Sequence, residues 1–152
     1  MNGPHAATLR HKLIDSAYGE AMLLAEHARG YFDTLGRDDR GALDPLTRVG
    51  FSCESLKVTT RLMHVIAWLL TQRAVDAGEI AASDALAPSR RLGEGPVSDL
   101  STVAMMPDAA RDLIDASIDL YRRVERLDAA QVAPVPTSSP ARAMFERLAT
   151  AL

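Results

Sequence analysis

The chain has 152 residues and a formal net charge of −3, the size of one ordinary domain with no general field for nucleic acid or anionic lipid. Its one cysteine, Cys53, excludes an intramolecular disulfide and fits a reducing compartment. The longest purely apolar run, Val65 to Leu70, is six residues, far short of the ~20 that span a bilayer. With no apolar targeting segment in "MNGPHAATLRHKL", a cytoplasmic protein is expected, with neither membrane nor nucleic acid as partner.

A first helix is predicted from about Thr8 to Leu35. Ile14, Tyr18, Ala21, Ala25, Ala28, Phe32 and Leu35 recur at alternating spacings of four and three, a coiled-coil-like seam that Met22 and Leu24 widen. "GRDDRG" at 36–41 breaks the pattern and reads as a solvated loop.

A second, central helix has clear ends. Asp44 suits an N-cap, Pro45 the first helical position, and Gly78 a left-handed stop, which leaves a helix of about 50 Å at ~1.5 Å per residue. Leu46, Val49, Cys53, Leu56, Thr60, Met63, Ala67, Leu70, Ala74 and Ala77 form an unbroken heptad seam, expected to face the core. On that reading Cys53 is a small core residue, and Met63→Ala or Leu70→Ala should cost ~2–5 kcal/mol. Val58, Leu62, Val65, Ile66 and Leu69 fall outside the seam. That second apolar face exceeds what two neighbouring helices cover, so a second copy of the chain is expected against it, making a homodimer.

"SDALAP" at 83–88 predicts a short helical turn, and 88–106 a mobile connector without periodicity. A third helix runs from Pro107 or Asp108 to near Asp128, with a seam of Ala110, Leu113, Ser117, Leu120, Val124 and Leu127 broadened by Ile114, Ile118 and Tyr121. The prolines of "AAQVAPVPTSSP" predict an extended linker. Ser139 as N-cap and Pro140 then open a terminal helix with Met144, Phe145, Leu148 and Leu152 on one face. No strand pattern competes. The expected fold is all-α: an antiparallel three-helix bundle domain over 1–128, followed at 129–152 by a proline-rich linker and a short amphipathic segment.

Catalytic chemistry finds no foothold. None of the four histidines follows a glutamate by three positions, as a di-iron bundle site would need, so no metal or other cofactor is expected. "GEGP" at 93–96 lacks the lysine and hydroxyl of a phosphate-binding loop. No nucleophile–base set appears, and the expectation is a protein that is not an enzyme. What remains is surface. Glu54, Arg61 and Trp68 lie seven residues apart, with Lys57 and His64 a turn away and Arg73 further along, and they make a candidate partner-binding stripe. The plainer alternative is that Glu54 pairs with Lys57 while Trp68 packs in the core. Met144, Phe145, Leu148 and Leu152 are the candidate client-binding residues of the tail, by helix-in-groove recognition.

Residues 53–79, "CESLKVTTRLMHVIAWLLTQRAVDAGE", resemble the alphaproteobacterial RcdA family, regulators of CtrA degradation long catalogued as a domain of unknown function. The shared pattern falls on Glu54, Ser55, Thr59, Thr60, Arg61, Leu62 and Met63, then on Trp68 to Leu70, Gln72 to Val75, Gly78 and Glu79. Weaker similarity covers 31–37 and 113–128, whereas His64 and Ala67 depart from the family's glutamine and serine. The resemblance implies a dimeric three-helix bundle with no catalytic activity. It further implies an adaptor that helps the ClpXP protease destroy client transcription regulators of the cell cycle, with a single-domain response regulator as co-factor. The other function open to the sequence is a small-molecule- or lipid-binding bundle, whose surplus apolar surface lines a cavity of ~300 Å³ or more.

Overall fold

Spacings of seven put Ile14, Ala21 and Ala28 on one side of a helix, and in the computed structural model α1 (Pro4–Gly30) buries all three. The structure describes residues 4–132 and 140–151. Among them every regular element is helical. α1 starts a turn before the sequence signal and passes into a π-helical turn, Tyr31–Leu35, in which Leu35 faces solvent. "GRDDRG" is not a loop. It forms a short helix, α2 (Arg37–Gly41), because Tyr31 ties it back: Gly36 N–H donates to the Tyr31 carbonyl at 2.6 Å and the Tyr31 hydroxyl donates to Asp39 at 2.7 Å.

The central helix, α3 (Pro45–Asp76), begins and ends where its caps predict. The Asp44 carboxylate accepts from Thr47 N–H at 3.2 Å, and Gly78 takes a positive φ of 75° after the last turn. Its inward face differs from the one expected. The buried residues are Thr47, Phe51, Glu54, Val58, Arg61, Val65, Trp68 and Gln72, themselves a heptad series, flanked by Leu62 and Leu69. The expected seam lies about 160° around the helix at ~100° per residue. There Leu46, Val49, Leu56, Met63 and Leu70 are exposed, and so is Cys53.

The third long helix, α5 (Asp108–Ala130), buries Ala110, Ile114, Ser117, Leu120, Tyr121 and Val124, largely its expected seam. Its direction is not the expected one. Arg61 meets Ser117 and Trp68 meets Asp128, so α5 runs parallel to α3. α1 opposes both, with Arg10 beside Asp76 and Glu20 beside Arg123. The cause is the connector, which is long enough to return along the whole bundle before α5 starts.

That connector is ordered, in contrast to the mobile segment expected at 88–106. Two 3₁₀ turns, Asp84–Leu86 and Pro88–Arg90, lead into an extended strap over 91–99 and a short helix, α4 (Leu100–Ala104). Val103 and Met106 are buried against the core. Gly50 lets α4 approach α3, since a Cβ there would lie 2.7 Å from the Thr102 methyl. The last element, α6 (Pro140–Thr150), has no buried residue. Ser139, Leu152 and most of the expected linker lie outside the described residues.

Candidate functional site

Four of the six candidate partner residues collect around the strap. Glu54, Arg61 and Trp68 retain only 1%, 2% and 3% of their exposure, so they offer no docking stripe. Lys57 Nζ meets Glu54 Oε1 at 3.0 Å, and Trp68 packs in the core, as the plainer alternative held. The burial of a charged pair requires compensation, and the strap supplies it. Arg61 Nε and Nη2 donate to the Pro96 carbonyl at 3.2 and 3.0 Å, Nη2 also to Ser98 Oγ at 2.6 Å, and Nη1 to Ser117 Oγ at 3.3 Å. Ser98 Oγ in turn donates to Glu54 Oε2 at 2.5 Å, which closes a relay between the two charges. Burial pulls the Arg61 guanidinium below its ordinary value, and the Glu54 charge acts against that.

A second clamp lies towards the end of α5. Trp68 Nε1 donates to Asp128 Oδ1 at 2.9 Å, and Arg91 of the strap donates to both carboxylate oxygens at 2.8 and 3.0 Å. Burial would raise the Asp128 pKa, but the hydrogen bonds from Arg91 and Trp68 outweigh it and hold the carboxyl below its usual range. Between the clamps the Tyr121 hydroxyl donates to the Gly93 carbonyl, and a Cβ at Gly95 would lie 2.9 Å from the Tyr121 ring. Gly95 is small because the strap lies flat on that ring. Pro96, Ser98, Arg91 and Asp128 escaped the sequence reading. The signal was present in Glu54, Arg61 and Gln72, polar residues in heptad register that need distant partners.

The remaining two candidates make no hydrogen bond to the strap. Arg73 stacks 4.3 Å from the centre of the Tyr18 ring and lies 3.5 Å from Asp15, on the side of α1. His64 is half-buried and lines a recess with Trp68 and residues Pro88–Arg91. Among the described residues, no three His, Cys, Asp or Glu side chains gather closely enough to hold a metal ion.

The accessible chemistry lies on the opposite face of α3. Leu56 and Met63 keep 67% and 65% of their exposure, in line with Leu46, Val49, Cys53 and Leu70. The stripe extends for about 36 Å, from Leu46 to Leu70 at ~1.5 Å per residue. Single exposed apolar residues are ordinary, but a stripe of this length is a candidate interaction surface. On α6, Met144, Phe145 and Leu148 are likewise exposed. Leu152 lies outside the described residues.

Two of three comparisons with known proteins find similar ones. A family model described as a protein of unknown function, DUF1465, matches residues 5–152. The crystal structure of RcdA from Caulobacter crescentus CB15 is similar at a TM-score of 0.66 and 34% sequence identity, over 81% of this chain and 93% of that one. No curated protein sequence gives a match. No helix among the described residues is long and apolar enough to cross a membrane.

Proposed function

The chain belongs to the RcdA family, represented by the DUF1465 model, and from that membership we propose that it is a non-catalytic adaptor for regulated proteolysis. The observation that carries the reading is the apolar stripe that the bundle leaves uncovered on α3. A heptad stripe is complementary to itself under a two-fold axis, and two-fold pairs are the commonest assembly, so its occupant is a second copy of the same chain. The homodimer expected from the sequence is therefore retained, with its contact moved from Val58, Val65 and Leu69 to Leu46, Leu56, Met63 and Leu70. Dimerisation leaves the outer surfaces and the two tails free for other proteins.

In this reading α6 supplies the client contact. A helix of about a dozen residues is marginal by itself in water, so Met144, Phe145 and Leu148 gain order and burial on a partner. Clients are transcription regulators of the cell cycle, delivered in the cytoplasm to ClpXP with a single-domain response regulator present. Reconstituted degradation tests this directly. Adding the protein should accelerate loss of such a regulator, and deletion of residues 137–152 should abolish the acceleration. No acceleration with all components present would refute the adaptor.

A further inference from the structure

Where α1 begins and α3 and α5 end, the bundle holds a cavity of about 600 Å³. Arg10, Gln72, Val75, Ala85, Leu86 and Gln131 contribute to its wall. Gln72 is 1% exposed. The Arg10 guanidinium donates to Gln72 Oε1, which fixes the amide's orientation, because a guanidinium accepts nothing. Gln72 Nε2 is thereby a buried donor, and it has no partner. Gln131 Oε1 is a buried acceptor, also without a partner. Buried polar groups are expensive to leave unpaired, and these two, of opposite kind, border one largely apolar cavity.

A ligand that answers both atoms offers an acceptor to Gln72 and a donor to Gln131. A metal cation satisfies only the second and a simple anion only the first, while water can answer both atoms but leaves the apolar wall of Val75, Ala85 and Leu86 without contacts. Arg10 does not ask for a carboxylate either, since Asp76 already answers its charge at 2.8 Å. A secondary amide carries one acceptor and one donor, the oxygen and nitrogen of one planar group, and brings apolar substituents with it. We propose that this cavity binds a peptide group from a short apolar segment of a partner protein. The carbonyl of that group accepts from Gln72 Nε2 and its N–H donates to Gln131 Oε1, while small apolar side chains lie against Val75, Ala85 and Leu86. The identification of the occupant as protein rests on the adaptor reading; the binding itself requires no protease.

The test is a titration of the full chain with a blocked valine–alanine–leucine peptide, followed by NMR of the side-chain amides. The Gln72 and Gln131 amide signals should shift saturably. Replacing the peptide linkages in turn by esters, which removes the N–H, should weaken binding about fivefold to tenfold at one linkage, the loss of one ordinary hydrogen bond. Gln131→Leu should erase that amide–ester difference. Ala82→Trp, at an exposed position on the cavity wall, should block binding with helicity unchanged. Absence of a saturable shift, or equal binding of ester and amide, would overturn the proposal. So would N-methylisovaleramide binding as tightly as the peptide, which would make this a small-molecule site. Because no protease is present, failure here and failure of the degradation assay are separate results.

Discussion

One face of α3 buries Glu54, Arg61, Trp68 and Gln72 among Phe51, Val58 and Val65, while the opposite face holds Leu46, Leu56, Met63 and Leu70 in water. Both follow heptad spacing, and the more apolar of the two is the exposed one. The difference lies in what the rest of the chain brings to each face. The strap supplies Pro96, Ser98 and Arg91, and α5 supplies Ser117 and Asp128, so Glu54, Arg61 and Trp68 on the inner face are answered within the molecule. Nothing among the described residues covers the outer stripe. Burial here follows the availability of partners, and the apolar residues left without one stay at the surface.

Substitutions on the two faces should therefore behave differently. Trp68→Ala should cost about 3–5 kcal/mol in denaturant unfolding, from cavity formation and loss of the Asp128 hydrogen bond. Arg61→Leu should cost about 3 kcal/mol, because Ser98 and the Pro96 carbonyl lose their buried donor and Glu54 is left with Lys57 as its countercharge. A folded, fully stable Arg61→Leu protein would show that the strap relay is incidental. Met63→Ala on the outer face should change the stability of the monomer by no more than ~0.5 kcal/mol, well below the ~2–5 kcal/mol that core placement implies. Its effect on melting should appear only at protein concentrations where the dimer forms.

Acid should loosen the inner face through Asp128. A carboxyl held below its unfolded value of ~3.9 contributes stability above that pH and loses it as the pH falls through the folded value. Strap release, followed by Trp68 fluorescence, should accordingly begin only below the ordinary carboxylate range, and Asp128→Asn should remove that transition. The smallest effect is expected from deletion of residues 137–152, which should leave the melting temperature unchanged because α6 has no buried residue.

The ends of α3 were legible because capping is local: Asp44, Pro45 and Gly78 each act within one turn. The seams of α1 and α5 were legible too, since each has one dominant apolar stripe. Two stripes about 160° apart on α3 left periodicity without a means of choosing, at ~100° per residue, and apolar composition favoured the wrong one. The partners that make Glu54 and Arg61 tolerable inside lie far along the chain, at Pro96, Ser98 and Ser117, beyond the reach of any local pattern. The parallel course of α5 was hidden for the same reason. A stretch rich in Gly, Pro and Ser looks mobile until Tyr121, Arg61 and Asp128 are seen to hold it.

The central claim is that the outer stripe of α3 joins two copies of the chain. Sedimentation equilibrium of the full chain, compared with Leu56→Asp, tests it most directly. The account predicts a dimer that the substitution converts to a monomer of unchanged helicity, since Leu56 is exposed and makes no part of the core. A full-length protein that stays monomeric across micromolar concentrations, or a Leu56→Asp protein that remains a dimer, would contradict it.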